Sequence, residues 1–345
     1  MQTLQIGSNQ AGQRLDKYLH KVMPNAGTGF LYKMLRKKNI TLNGKKAEGS
    51  EMLNVGDTVS FFFAEETFRK FAGESVASNS EYATGKDPYA DYRKAYTSLK
   101  GITVLYEDND FCFLVKPAGI LSQKAEPKDI SINEWLIGYL LESDKKWEEE
   151  LRLFHPSVCN RLDRNTSGLI LCGKSLAGSQ YLSKCIKERT IRKFYRTICV
   201  GKINEASSVE GYLCKDNAKN KVTVRKSAAA GEQDSYIKTA YEPMAVTKEY
   251  THLEVELITG KTHQIRAHLS SLGHPIIGDF KYGNQNINQN LKKAYQLSFQ
   301  LLHAYRVEFP ACTEGVGVTL SQKSFVAPYP KLFTRLLHEL SLNED

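Results

Sequence analysis

Apolar positions recur every three to four residues near the start of the chain and every second residue in much of the remainder, so helices come first and strands follow. Residues 14–19 open an amphipathic helix. Residues 30–38 form a second one, with Leu31 and Leu35 on a shared face and Lys33, Arg36 and Lys37 elsewhere on its surface. Ile40-Thr41-Leu42 runs into Asn43-Gly44, the pair that best tolerates the positive φ angles of a tight hairpin. A strand over residues 58–63 follows the turn at Val55-Gly56-Asp57. Residues 64–100 hold Ser, Ala, Glu, Lys and Tyr without a sustained apolar period, the composition of a linker, although Tyr82, Tyr89, Tyr92 and Tyr96 could pin part of it to a surface.

From Val104 the pattern is strand, acidic turn over residues 107–110, and strand through Phe111-Cys112-Phe113-Leu114-Val115, closed by Lys116-Pro117-Ala118-Gly119. Ser131 and Glu134 form a capping box for a helix carrying Trp135, Leu136, Tyr139 and Leu140. The run from Asn160 to Leu171 begins with charged and amide side chains, passes a Thr166-Ser167-Gly168 corner, and turns apolar in Leu169-Ile170-Leu171-Cys172, a buried strand. Residues 175–187 read as a helix and 193–201 as a strand. Leu253, Val255 and Leu257 alternate with His252, Glu254 and Glu256 in a further strand. A helix follows it, with Thr262 as N-cap and Ile265 and Leu269 facing the core. Leu332, Leu336 and Leu340 mark a closing amphipathic helix. Periodicity alone supports a mixed α and β class.

At 345 residues and 41% hydrophobic the chain can bury a full core, and its length suits two domains better than one. The pattern divides it into a unit at residues 1–63, a linker at 64–100 and a larger domain at 101–345. A net charge of +9 favours a polyanionic partner, either nucleic acid or an anionic membrane surface. No apolar run reaches the length of a membrane span, and the first residues lack a basic segment followed by a hydrophobic one, so a soluble cytoplasmic protein is expected. The seven cysteines are scattered, with no C-x-x-C pair, and read as small buried hydrophobes in a reducing compartment. His155 and Cys159 have no second pair to complete a metal set, and no metal is expected.

Asp163 is a lone carboxylate just before a corner that leads into the core, where loops on a rigid scaffold concentrate reactive groups. Taken alone, Asp163 and Thr166 read more readily as hydrogen-bonding turn residues. Arg161, Leu162, Asp163, Thr166, Ser167, Gly168 and Leu169 nevertheless match R-L-D-x-x-T-S-G-L, and the run resembles the signature of the RluA-type pseudouridine synthases. Asn160 stands where that family usually has a histidine. The resemblance extends to the Tyr-Glu-Asp turn at 106–108, to Lys116-Pro117-Ala118-Gly119, and to Lys193 and Tyr195 of a Lys-x-Tyr strand. It continues through Thr259-Gly260-Lys261-Thr262-His263-Gln264-Ile265-Arg266 and on to Gly278, Asp279, Tyr282 and Gly283. Lys261 replaces the usual arginine, a point charge in place of a planar fork. Residues 13–62, with two helices, Ile-x-Leu-Asn-Gly and Val-Gly-Asp-x-Val, resemble the S-four, or alpha-L, RNA-binding module.

These resemblances imply an α+β fold: a small N-terminal alpha-L domain, then a catalytic domain on a mixed, mainly antiparallel sheet of the pseudouridine synthase type. They imply an isomerase that breaks the bond from ribose C1′ to uracil N1, turns the base and joins C1′ to C5, with no cofactor. Asp163 would attack C1′, stabilise an oxocarbenium charge or remove a sugar proton, and the sequence leaves these roles open. Arg266 would keep Asp163 ionised, since a nearby guanidinium opposes the upward shift that burial causes. Tyr195 would stack on a uridine extruded from folded RNA. Substrate contacts are expected from Arg161, Leu162, Arg164, Thr166, Lys193, Leu257, Ile258, Lys261, His263 and Gln264. Phosphate contacts are expected from Arg14, Lys17, Lys33, Arg36, Lys37, Lys38 and Lys45. The S-four module favours ribosomal RNA, the large subunit in particular, over transfer RNA, and a monomer without an obligate protein partner. A non-catalytic RNA-binding protein would explain the basic N-terminal unit but gives no reason for three linked motifs. A hydrolytic nucleosidase would need a placed water and usually a second carboxylate. A dinucleotide enzyme is excluded, since Gly315-Val316-Gly317 is an incomplete fingerprint.

Overall fold

Two sheets, each with its own buried core, carry the chain. The computed structural model describes residues 1–7, 9–72, 87–151, 154–216, 221–227 and 234–343. The first sheet comes from β1 (Gln2–Gln5), β2 (Ile40–Leu42), β3 (Lys45–Lys46) and β4 (Thr58–Phe61), in the order β1-β4-β2-β3. Helices α1 (Leu15–Val22) and α2 (Thr28–Arg36) cover it, burying Leu15, Tyr18, Leu19 and Val22 from one and Leu31 and Leu35 from the other against Ile40, Val59 and Phe61. Each such side chain contributes about 1.5–3 kcal/mol when fully removed from water. Asn43 and Gly44 take φ of 51° and 71°, as the hairpin requires, and Thr58 N–H donates to Asn43 Oδ1 at 2.7 Å, tying the turn to β4.

The segment expected to be a linker folds at both of its described ends. Helix α3 (Glu65–Phe71) sends Phe68 into the N-terminal core, which therefore continues past residue 63 to Ala72. Helix α4 (Ala90–Ser98) lies on the larger domain through Tyr89, Tyr92, Tyr96 and Leu99. It docks where Gly138 lets two helices approach closely, since a Cβ there would collide with the Tyr92 carbonyl. The apolar stripe of α4 is carried by tyrosines among charged residues, which is why it lacked an obvious period. Tyr82 lies outside the described residues.

The larger domain comprises β5 (Thr103–Glu107), β6 (Phe111–Lys116), helices α5 (Ile132–Ser143) and α6 (Trp147–Glu150), β7 (Ser157–Val158), β8 (Ser167–Gly173), α7 (Leu176–Glu188) and β9 (Arg192–Val200), of which β5, β6, α5, β8, α7 and β9 fall where the sequence pattern placed them. Then come β10 (Ser207–Asp216), β11 (Lys221–Arg225), β12 (Ser235–Val246), β13 (Tyr250–Leu257), α8 (Gln264–Ser271), α9 (Gln285–Tyr295), β14 (Leu302–Glu308), β15 (Ser324–Val326) and α10 (Lys331–Glu339). The sheet runs β11-β10-β12-β13-β9-β14-β8-β6-β5, with β15 beside β14 and β7 beside β8. Among the described residues its pairings are antiparallel except for β8 with β14. One face packs α5 and α8 through Leu136, Leu140, Ile265 and Leu269. The opposite face packs α7 at one end, through Leu182 and Cys185, and α9 and α10 at the other. The buried stripe of α10 is Phe333, Leu336 and Leu337, so Leu332 and Leu340 sit at its margin. All of β8 is buried, Ile170 and Cys172 towards one core and Leu169 and Leu171 towards the other.

Candidate active site

Gly168 allows the run around Asp163 to reach the middle of the sheet. Its φ is 112°, and a Cβ would run into the Ala304 backbone, so only glycine lets β8 start in parallel beside β14. Ser167 Oγ meets His303 Nδ1 at 2.8 Å and fixes the same junction. Ala304 pairs with Gly168 on one side and Tyr195 on the other, and Tyr195 pairs with Val255, so one row crosses β8, β14, β9 and β13. The Asp163 loop is delivered to one end of that row.

The loop is gripped from below. Lys116 Nζ donates to the carbonyls of Pro117, Ile120 and Arg164 at 2.9–3.0 Å. Gly119 N–H donates to Arg164 O at 2.9 Å, and Arg164 Nε donates back to Gly119 O at 3.1 Å. Ser122 Oγ accepts from Leu162 N–H and donates to Leu162 O. Asn160, in the place of the family's histidine, accepts from Leu171 N–H at 2.7 Å and donates to Leu169 O, which ties the loop to β8. Burial pushes the Lys116 amine down to about 7, against the pull of the Asp163 charge. Sequence reasoning took Lys116 only as the end of a hairpin and passed over Ser122. A lysine directly after five apolar residues was the available signal.

Arg266 lies between two carboxylates. Its Nη1 donates to Asp163 Oδ2 at 2.8 Å, while Nε and Nη2 make a bidentate pair with Asp279 at 2.7 and 2.9 Å. The side chains of Arg266, Asp279 and Asp163 are 8%, 1% and 23% exposed, so the system opens to solvent at Asp163 alone. Burial opposes the guanidinium charge, and the two carboxylates outweigh it, holding its pKa above the ordinary value. Asp279 matched the family pattern without an assigned role, and its burial beside Arg266 supplies one. Tyr195 is 7% exposed; burial, reinforced by the Asp163 charge, raises its pKa, so the phenol keeps its proton.

Helix α8 starts at Gln264, and the residue before it is His263 with φ 57°, in the left-handed region; Thr262 is exposed and is not the cap. His263 Nε2 lies 3.8 Å from Asp163 Oδ2, and its Nδ1 lies 3.0 Å from Tyr282 Oη. Gln264, expected to touch substrate, is 2% exposed and spends its amide on Thr259 Oγ1, Lys261 N–H, Lys238 O and Thr239 Oγ1. Thr166 is 2% exposed and accepts from Gln300 Nε2, and Leu162 is buried by the grip described above. These three are buried and bonded within the protein. Arg161, Arg164 and Lys261 are exposed, Lys193 lies against Gly260 on the Tyr195 face of β9, and Leu257 and Ile258 are half-buried. In the N-terminal unit Arg14, Lys17, Lys33, Arg36, Lys37, Lys38 and Lys45 are all exposed, and Arg14 is partly neutralised by Asp16 at 2.7 Å. Among the described residues no three His, Cys, Asp or Glu side chains gather as a metal set, and no helix is long and apolar enough to cross a membrane.

Residues 110–271 match the family model described as RNA pseudouridylate synthase. A ribosomal large subunit pseudouridine synthase D from Borreliella burgdorferi is 31% identical over 71% of this chain and 70% of that protein. A ribosomal large subunit pseudouridine synthase C from Rickettsia prowazekii is 29% identical over 93% of this chain and 95% of that one. The fold is shared with the solved structure titled Human RNA Pseudouridylate Synthase Domain Containing 4, at a TM-score of 0.55 and 22% identity over 73% of this chain and 97% of that one. The chain belongs to the RNA pseudouridine synthase family, as the Arg-Leu-Asp corner implied, and is an enzyme of that class.

Proposed function

We propose that this enzyme converts uridines of large-subunit ribosomal RNA to pseudouridine, with Asp163 as the carboxylate acting at the ribose. The observation that carries the assignment is a buried guanidinium fixed by a buried Asp279 and presenting Nη1 to the one half-open carboxylate, Asp163. Such an arrangement holds a carboxylate in a fixed orientation beside a preorganised positive charge. In the reaction the C1′–N1 bond breaks, the C1′–C5 bond forms, N1 gains a proton and C5 loses one. Asp163 acts at C1′ while Tyr195, with Leu257 beside it, holds the detached uracil and excludes water. A ring only 7% exposed offers an edge rather than a broad face, so its contribution falls at the low end of about 1–3 kcal/mol per stacked base. The ribosomal target rests on the names of the two relatives and on the exposed basic N-terminal unit, which carries nine basic residues against four acidic ones.

RNA carrying tritium at uracil C5 tests the reaction. The enzyme should release tritium to solvent and leave no abasic site. Free uracil with an abasic strand would establish a hydrolase instead. Mapping pseudouridines by carbodiimide-dependent reverse-transcription stops in a deletion strain tests the target, and loss confined to transfer RNA would refute the ribosomal assignment.

A further inference from the structure

The second environment of Asp163 is less obvious than Arg266. Tyr282 Oη accepts the Val222 backbone N–H from β11 at 3.1 Å and lies 3.0 Å from His263 Nδ1, a contact in which the hydroxyl can donate to a neutral imidazole. A neutral imidazole that accepts at Nδ1 carries its proton on Nε2. That nitrogen faces Asp163 Oδ2 at 3.8 Å, too long for a direct bond and short enough for the N–H dipole to act on the carboxylate. Arg266 holds the same oxygen, and among the described residues Oδ1 has no protein partner. Asp163 is thus turned with one oxygen occupied and the other open.

Two further observations concern the same histidine. It is a non-glycine residue in the left-handed region, a conformation histidine tolerates better than most residues and which persists where surroundings over-determine it. It also stands at the N-cap of α8 without a side-chain capping bond, and its Nδ1 meets Tyr282 Oη instead. The Tyr282 ring in turn packs with Leu213 of β10, Val222 and Val224 of β11 and Ala267 of α8, and lies 5.1 Å from the Arg266 guanidinium. One tyrosine therefore joins the β10–β11 hairpin to both partners of the carboxylate.

We infer that His263 and Tyr282 are positioning residues that set the orientation of Asp163 and make it depend on the docking of the β10–β11 hairpin. The inference rests on the synthase reading above. The groups facing His263 are Asp163 and Asp279, which favour its charged form, Arg266 and Lys281, which disfavour it, and the hydroxyl of Tyr282. Burial is the largest influence and keeps the imidazole neutral, and the Tyr282 hydroxyl donating to Nδ1 acts in the same direction. A charged His263 would draw Asp163 away from Arg266.

Single-turnover tritium release with wild type, Tyr282→Phe, His263→Gln and the double variant tests the relay between about pH 5 and 8. Tyr282→Phe keeps the ring packing and should lower the rate constant roughly 10-fold while RNA affinity stays unchanged. Its acid limb should move to higher pH, because the neutral imidazole has lost its donor. The double variant should be no slower than the slower single one, since both lie on one relay. An acid limb that stays in place, additive losses, or a change confined to RNA affinity would each overturn the inference. Superimposed profiles with an active wild type would remove this inference alone, whereas a wild type that releases no tritium from any RNA would remove the synthase reading with it.

Discussion

Two arginine and carboxylate systems lie on opposite faces of the same sheet, and they differ in one respect. On the face that carries Tyr195, Arg266 is fixed by a bidentate pair with Asp279 and reaches Asp163, whose second oxygen is open among the described residues. On the opposite face, Phe194 lies between the guanidinium groups of Arg192 and Arg306, at 4.7 and 3.8 Å from its ring centre. Glu254 is paired with Arg196 and Arg306, Glu256 with Arg192, and Glu308 with Arg192 and Arg306. Every one of these carboxylates meets a guanidinium, and several pairs are half-exposed. Alternation along β9 makes the separation: residues 193 and 195 point one way and 194 and 196 the other. Both faces carry paired guanidinium and carboxylate groups, so ion pairing alone does not mark a reactive site. What distinguishes the Asp163 face is a buried guanidinium, fixed by a carboxylate that is 1% exposed, which holds Asp163 by one oxygen while the other has no protein partner among the described residues.

The sharpest way to break this comparison is Asp163→Asn. It keeps the shape and should leave folding and RNA binding intact while lowering turnover by on the order of 10⁴-fold or more, as for a group acting on the reacting atoms. Clear residual pseudouridine formation by purified variant, measured by tritium release, would move the chemistry elsewhere. Arg266→Gln comes next. It strands Asp279, which is 1% exposed, and a broken buried pair costs about 3–5 kcal/mol. Urea unfolding should report most of that loss, and the rate should fall as well. Arg306→Gln is the control on the opposite face: its partner Glu254 is 15% exposed and retains Arg196, so the loss should stay near 1 kcal/mol or less with turnover unchanged.

Lys116→Met asks whether the grip below the loop matters as much as the pair above it. Three carbonyls would lose their donor, a cost of roughly 1–3 kcal/mol in unfolding free energy. Because the folded amine is depressed from 10.5 to about 7, the unfolded chain binds more protons between those values. Wild-type stability therefore gains a contribution as pH rises through that window, and it lacks that contribution below about 7. The gap between wild type and Lys116→Met should widen from neutral to alkaline pH in urea titrations. A constant gap would show that the amine does not titrate there.

Much of this was legible in the sequence for physical reasons. Strands β5, β6, β8, β9 and β13 alternate or are continuously apolar, and the Asn43-Gly44 turn and Ser131 cap have few alternatives. Asp163, Arg266 and Tyr195 came from motif resemblance, and the structure brings the first two to 2.8 Å. The rest depended on tertiary closure. Thr166 and Gln264 are polar residues in a functional motif, so they resembled ligand contacts, yet they are buried and bonded within the protein, Thr166 to Gln300 and Gln264 to Thr259, Thr239 and the backbone. Lys116 looked like a hairpin end because its three acceptors come partly from a loop 48 residues away. Helix α4 was hidden because tyrosines carry its apolar face, and Thr262 lost the cap because His263 takes a conformation that no periodicity encodes.

The smallest expected effect separates the cleft from the N-terminal unit, where no buried ion network exists among the described residues and the lysines simply face water. Removing residues 1–63 would expose Phe68 of α3, so charge removal is the cleaner experiment. Lys37→Gln, Lys38→Gln and Lys45→Gln leave the core untouched, because all three side chains are exposed. If they contact phosphate, each lost contact should lower the slope of log affinity against log salt by about 0.7–0.9. The rate at saturating RNA should not change, since none of them adjoins Asp163. An unchanged salt slope in the triple variant would mean that this surface does not touch RNA, and the basic unit would then need a protein partner to explain its charge. A reduced rate at saturation would instead tie the unit to the chemistry and erase the division of labour that separates binding surface from cleft.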